Sequence, residues 1–299
     1  MKHVKFTTQT RTDIVFDVLN HLFLAIVILI ILYPLYFVVI ASFSNPDYVN
    51  AGLVTVVPRD VTLLGYQLIF ADARIWTGYG NTIIYAAGLG LLGSAMTLLA
   101  AFALSRRDLP GRTGIMVFFV ITMYFQGGLI PTYLVIRTLG LVNTRAVMVL
   151  FNSFVVFYVI IARTFYEHTI PEELYDAARI DGCSIAGFYF RIALPLSKAI
   201  VAVILLYYVI MEWNSFFKGL VYLREPKYYP LQLVLREILV QSEQVEADMA
   251  DLSSIADRDR AADLVRYGVI FVASVPMLVL YPFLQRYFVQ GVMIGAIKG

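Results

Sequence analysis

The chain has 299 residues, a formal charge of +2 at pH 7, 60% hydrophobic and 15% charged residues, and a mean hydropathy of +0.77. Water-soluble domains carry about a quarter charged residues and under half apolar ones, so the composition excludes a soluble enzyme and points to a membrane protein. Its basic residues are scattered among loops, without the concentrated stripe that a nucleic-acid partner requires, and its one cysteine, Cys183, excludes an internal disulfide.

A helix needs about 20 predominantly apolar residues to cross the hydrocarbon layer. Six such stretches run along the chain, at 18–42, 79–104, 114–136, 146–165, 199–217 and 266–288. Barrel strands would alternate in polarity over about 10 residues, whereas 22–32 is apolar at every position. The expected fold class is therefore all-α: a six-helix membrane domain over 18–299 behind an N-terminal segment, 1–17. The first stretch exceeds the roughly 7 to 15 apolar residues of a cleavable signal core, so it is expected to be retained.

In the second stretch Gly88, Gly90 and Gly93 spell G-x-G-x-x-G, but no strand precedes them as a dinucleotide site would need. Ala86, Gly90 and Ser94 instead recur every fourth residue, a spacing that admits a closely packed helix. In the third, Tyr124, Gln126, Gly127 and Gly128 either bend the backbone at a cavity or permit tight packing. Pro34, Pro131, Pro195, Pro276 and Pro282 fall in or beside the stretches and are read as shaping helices.

Between the fourth and fifth stretches, the loop 167–198 is unusually ordered for a connector. Pro171 with Glu172 and Glu173 fits a helix first turn, and Gly182 fits the left-handed position that ends one. The spacing predicts a helix over 171–181, about 11 residues and roughly 16 Å long. Leu174, Ala177, Ala178 and Asp181 fall on one face of it, and a second set, Ile185, Phe188, Tyr189 and Ile192, follows. An apolar, structured loop of this kind needs a receptor, either another subunit or the chain's own span ends.

Glu212 lies within the fifth stretch, where an ionisable group costs a few kcal/mol and faces a polar cavity or a partner. With Trp213 and Asn214 it forms a polar and aromatic cluster. Contact with a transported molecule, snorkelling to the interface and pairing with Lys218 are all open to it. In the following loop, 218–265, Pro230 precedes Leu231, Val234, Leu235, Ile238 and Leu239 at helical spacing. The apolar face of that helix must be covered by this protein or by another. The acids Glu243, Glu246, Asp248, Asp251, Asp257 and Asp259 match no calcium-loop spacing and read as a solvated surface.

Lys2, Lys5 and Arg11, then Arg106, Arg107 and Arg112, then Arg179, Arg191 and Lys198 share one side only if both termini are cytoplasmic. The loop 167–198 is then cytoplasmic and 218–265 extracytoplasmic. There is no G-x-x-x-x-G-K-[ST] phosphate loop, so any ATP chemistry belongs to a partner. His3, His21 and His168 form no metal-ligand spacing, and no nucleophile, base and orienting acid share one depth. The chain is therefore expected to be no enzyme and to hold no metal or cofactor.

Within the loop, Asp176, Ala177, Ala178, then Gly182, then Ile192, Leu194 and Pro195 resemble the EAA loop of permease subunits of binding-protein-dependent ABC importers. The family's usual first Glu is Asp176 here, which keeps the carboxylate on a shorter stem. The resemblance extends along the chain. GGLIPTYLVIRTLGLVNT at 127–144, the Trp213–Asn214 pair and GVMIGAIKG at 291–299 look like the carbohydrate-uptake subfamily, and in particular maltose-type permeases for complex oligosaccharides.

This resemblance implies the type I ABC importer permease fold and a place in a bacterial cell membrane. It implies a second homologous permease subunit, two ATP-binding subunits that carry ATP and magnesium, and an extracytoplasmic solute-binding protein. On this reading Glu173, Asp176, Ala177, Ala178, Asp181, Gly182, Ile192, Leu194 and Pro195 form the ATPase-coupling loop. Tyr124, Gln126, Asn152, Glu212, Trp213 and Asn214 are candidates along a sugar pathway, and Leu231, Leu235 and Ile238 are candidates for contact with the binding protein. The alternatives are an ABC importer for a non-sugar solute and a stand-alone secondary transporter; the latter would show internal repeats and more intramembrane acids.

Overall fold

A computed structural model describes residues 11–247 and 265–279, and all regular structure among them is helical. The N-terminal residues 1–10, the acids from Asp248 to Asp259, the sixth stretch beyond Val279 and the motif at 291–299 lie outside the described residues.

One compact unit comprises Met1–Ala71 with Gln241–Val272. Its first helix, α1 (Arg11–Ser42), has 32 residues, about 48 Å at 1.5 Å per residue, more than the roughly 30 Å of a hydrocarbon core. Large apolar side chains from Ile14 to Tyr36 are exposed along it, which suits a helix whose backbone bonds are all internal and whose solvent is lipid. At its end, Ile40 and Ala41 enter a small core with Val49 and Val54. There the Ser42 hydroxyl donates to the Val39 carbonyl and meets the Tyr66 hydroxyl, each at 2.7 Å.

The other unit comprises Asp72–Val240 with Ala273–Gly299. In chain order its longer helices are α2 (Ala73–Ser105), α3 (Arg112–Tyr124), α4 (Leu129–Thr138), α5 (Val156–Thr169) and α6 (Glu172–Ile180). They continue with α7 (Ile185–Leu196), α8 (Lys198–Trp213), α9 (Leu231–Ala247), which runs on past the unit's limit, and α10 (Val265–Val279), which enters it at Ala273. The core of this unit sits where α2, α5, α6, α7 and α8 meet, around Phe102, Tyr166, Phe188, Tyr189 and Tyr208.

Within the Gly-rich run of α2, Gly90 of the every-fourth small-residue set faces α8, a Cβ there coming 3.1 Å from Leu205 and Val209, and Gly93 beside it is tighter still. A Cβ on Gly93 would lie 2.7 Å from the Tyr208 ring, so only glycine lets α8 come this close. The Tyr208 hydroxyl then hydrogen-bonds the Thr97 hydroxyl at 2.7 Å and accepts the Val155 N–H at 3.1 Å. One side chain thus ties α8 to α2 and to the start of α5.

Two expected continuous stretches are broken. The third divides into α3 and α4, which meet at 111°: Phe125 is extended, Gly128 takes φ +80°, and Pro131 occupies the first turn of α4, where its missing N–H costs nothing. The fourth stops after a short helix, Arg145–Leu150. Asn152 there adopts φ +66°, a conformation Asn tolerates better than most residues, and α5 starts afresh at Val156. The fifth is preceded by α7, bent 84° from α8; the break falls at Ser197, whose backbone (φ −102°, ψ 25°) leaves the helical region, and α7 itself carries a π turn at Tyr189–Ala193. By length and composition α1 and α2 can each cross a membrane, and each bent pair adds one crossing if its two helices form a single span. The described helices thus account for two to four of the six expected stretches: glycine, asparagine and proline interrupt the third and fourth, which hydropathy alone reads as continuous, and the sixth is described only as far as Val279.

Candidate functional site

Helix α6 and its flanks are the most distinctive surface of the second unit. Pro171 caps it in an extended conformation (φ −63°, ψ 143°), and Glu172 and Glu173 fill the first turn. At the far end Gly182 takes φ +75°. Its N–H donates to the Arg179 carbonyl at 3.1 Å, and the Cys183 N–H donates to the Ala178 carbonyl at 2.9 Å. These are the paired bonds of a Schellman ending, which requires the left-handed residue between them. Ser184 then starts α7, its Oγ accepting the Gly187 N–H at 3.1 Å.

The face expected to be continuous is split. Tyr175 and Ala178 are buried and Leu174 is half-buried, whereas Ala177 and Asp181 are exposed. Tyr175, the aromatic residue of the helix, has the most area to gain from burial, and it rotates the inward stripe toward itself. The outward stripe is consequently Glu173, Asp176, Ala177 and Ile180 at i, i+3, i+4 and i+7. Ile180 is 87% exposed, an apolar knob that the sequence reading missed and that the spacing from Glu173 could have revealed. Of the remaining loop residues, Gly182 and Pro195 are exposed and Ile192 and Leu194 are half-buried.

Beneath α6 the Tyr175 ring meets Phe188 edge-on at 5.2 Å, and Phe188 lies 6.2 Å from Phe102 of α2. Phe102 in turn lies 5.0 Å from Tyr189 and 5.7 Å from Tyr166. A cavity of about 790 Å³ opens beside the start of α6, lined by three arginines, Arg106, Arg107 and Arg112, and three glutamates, Glu167, Glu172 and Glu173, among others. Its charges are mutually compensated: Arg107 pairs with Glu172 at 3.4 Å and Arg112 with Glu167 at 3.7 Å.

The six pathway candidates separate into two environments. Tyr124, Gln126, Asn152 and Asn214 are exposed at helix ends and breaks. Glu212 and Trp213 are buried, Glu212 being only 2% exposed. Of the possibilities open to Glu212, pairing is the one realised: its carboxylate accepts from the buried Lys218 ammonium, which also donates to the Met148 carbonyl. The Trp213 indole donates to the Ala273 carbonyl at 3.2 Å.

The face of α9 expected to touch a binding protein is closed by the chain itself. Leu231 is 0% and Leu235 2% exposed, and Ile238 is half-buried. The backbone of Leu231 lies against Gly78, where a Cβ would come within 3.0 Å of its Cα, and its N–H donates to Thr82 Oγ1 at 2.8 Å. Asn81 donates to the Lys227 and Tyr229 carbonyls, and Tyr85 to that of Tyr228. Polar residues of α2 thus hold the preceding loop and bring α9 down onto the helix. The sequence shows the amphipathic face of α9; what covers it is a long-range contact that no local spacing reveals.

No family model matches the chain. It is 34% identical, over 95% of its length and 98% of the relative's, to the polygalacturonan/rhamnogalacturonan transport system permease protein YtcP of Bacillus subtilis (strain 168). It is 28% identical, over 92% of its length and 94% of the relative's, to the arabinooligosaccharides transport system permease protein AraQ of Halalkalibacterium halodurans. Its fold matches a chain in the crystal structure of a bacterial ABC transporter involved in the import of the acidic polysaccharide alginate, with a TM-score of 0.81 and 28% identity over 95% of this chain and 100% of that one.

Proposed function

Since this chain belongs to the permease subunits of sugar and oligosaccharide ABC importers, we propose that it forms half of a six-plus-six-span pathway that carries an oligosaccharide into a bacterial cell by alternating access. The other half is a second, homologous permease subunit. Two ATP-binding subunits on the cytoplasmic side hold ATP and magnesium and do the hydrolysis, and an extracytoplasmic solute-binding protein delivers the sugar. Both termini are cytoplasmic. The domain from 18 to 299 supplies the six spans, the broken stretches each counting as one, while 167–198 forms the coupling loop and 218–265 an outer loop.

The observation that carries the coupling role is the outward stripe of α6. Two carboxylates, a small residue and an 87% exposed isoleucine stand on a helix capped at both ends and backed by aromatic rings. An exposed apolar knob of this kind on a rigid base is suited to a cleft in a partner. The rest of the loop, including Gly182, Ile192, Leu194 and Pro195, holds that helix at its height. Closure of the ATPases around ATP moves α6, and binding energy spent there biases a two-state membrane element. In the pathway, Tyr124, Gln126, Asn152 and Asn214 are the side chains offered to sugar, while Glu212 and Trp213 support them from within. For the binding protein, Ile238 and its exposed neighbour Arg236 are better placed than Leu231 and Leu235.

The test is co-expression with the partner ATPase, affinity purification of the permease and measurement of ATP hydrolysis. Ile180→Asp is expected to reduce ATPase retention about tenfold or more, the cost of burying a charge where an apolar side chain docks, while membrane insertion is unchanged. Full retention and unchanged sugar uptake with Ile180→Asp would refute the docking role.

A further inference from the structure

The coupling helix is joined to its neighbours in the chain only by short turns, Ile170 to Pro171 before it and Asp181 to Ser184 after it. Motion delivered to α6 therefore reaches the membrane through side-chain contacts with the helices beneath. Arg106 makes a close one. It is the residue that ends α2, and its guanidinium carbon lies 3.2 Å above the centre of the Tyr175 ring. The same guanidinium donates to Asp108 Oδ1 at 3.2 Å, which fixes the plane of the stack. Phe188 closes the ring edge-on, 5.2 Å away. Tyr175 is thus gripped between a planar cation from the end of α2 and an aromatic ring that itself leans on Phe102 of α2.

The second link between the same elements is weaker. Arg107 and Glu172 pair at 3.4 Å with side chains 75% and 52% exposed, and exposed pairs of this kind contribute little. A cation over a ring face with much of its water removed is stronger, and Arg106 has only 16% of its side chain exposed. About two to four turns back along the helix from Arg106, α2 is equally committed, because the Gly93–Tyr208 contact and the Tyr208–Thr97 hydrogen bond lock it to α8. A displacement of α6 passed through Tyr175 therefore moves α2 as a rigid body instead of being absorbed in the turn at Arg106.

We propose that the Arg106–Tyr175 stack is the joint through which the stroke of α6 reaches α2, with Arg106 and Tyr175 acting as positioning residues for alternating access. The inference rests on the functional reading above. It differs from docking: the residues that meet the ATPase point outward, and these two point inward.

The experiment uses the full transporter in proteoliposomes, in a Cys183→Ser background carrying Ile83→Cys, since Ile83 is exposed on α2 away from its Arg106 end. Three quantities are read: ATPase retained on purification, ATP hydrolysis, and the change in maleimide labelling at position 83 on adding ATP and vanadate. With Arg106→Gln and Tyr175→Leu, retention and hydrolysis are expected to persist while the nucleotide-driven labelling change shrinks about tenfold, the scale of a coupling mutation. Tyr175→Phe keeps the ring face and is expected to behave as wild type, as is Arg107→Gln. Arg106→Lys loses the planar fork and is expected to fall between.

Should Tyr175→Leu fail to accumulate, Arg106→Gln decides, because it leaves the apolar packing whole. An undiminished labelling change in Arg106→Gln, release of the ATPase by that variant, or a wild-type protein whose position 83 does not respond to nucleotide overturns the joint. A wild-type chain that retains no ATPase overturns the functional reading itself, and the joint falls with it.

Discussion

Lys218 and Glu212 show how a single charged residue in an apolar stretch can be structural. Two buried charges lose their hydration, and the loss is offset only when they meet each other and further hydrogen-bonding groups. Here the ammonium meets the carboxylate and the Met148 carbonyl. Removing one partner strands the other: Glu212→Ala is expected to destabilise the purified permease by about 3 kcal/mol, read as a fall in its thermal unfolding midpoint in detergent. The double variant Glu212→Leu with Lys218→Met is expected to recover most of that loss. A single variant as stable as wild type would return Glu212 to the pathway candidates. Glu212 stood out in the sequence as an anomaly of composition, but its partner was one of several possibilities, since a spacing of six residues across a helix end does not dictate contact.

Among the elements, α6 depends on its ending. Its Schellman bonds need Gly182 at φ +75°, a region in which a β-branched residue costs about 2 kcal/mol or more and asparagine much less. Gly182→Val is therefore expected to fray α6 and lower ATPase retention, whereas Gly182→Asn is expected to stay near wild type. Equal behaviour of the two variants would mean that the left-handed turn is not what supports docking. This ending is legible in the sequence because glycine after a helical run has a local meaning. The face that α6 turns outward is not, because Leu174 and Tyr175 compete for the interior and the outcome depends on Phe188 and Arg106, which come from other elements. The breaks in the third and fourth stretches lie between these cases. Gly127, Gly128 and Asn152 are visible signals, yet hydropathy averages across them.

For the whole molecule, membrane residence and the side on which 167–198 lies are open to a direct test with the protein's own thiol. Cys183 is the chain's one cysteine and is partly accessible at the end of α6. A membrane-impermeant maleimide is expected to label it in inside-out vesicles and to leave it untouched in intact cells, with labelling reduced when the ATPase is bound. Labelling from outside the cell would invert the orientation drawn from Arg106, Arg107, Arg112, Arg179, Arg191 and Lys198, and would place the coupling loop on the wrong side for any ATPase.

What the linear order of residues determined by itself is what depends on local chemistry and on solvent. Long apolar stretches demand lipid, small residues every fourth position demand a close neighbour, and a proline–acid start with a glycine end demands a short helix. What only the tertiary structure decided is what depends on which distant groups share one space. Tyr175 lies under Arg106, Tyr208 fills the gap left by Gly93, Lys218 sits beside Glu212, and the start of α9 is covered by this chain's own α2. Those pairings are settled by competition among many side chains for a limited interior, and no spacing along the chain encodes the result of that competition.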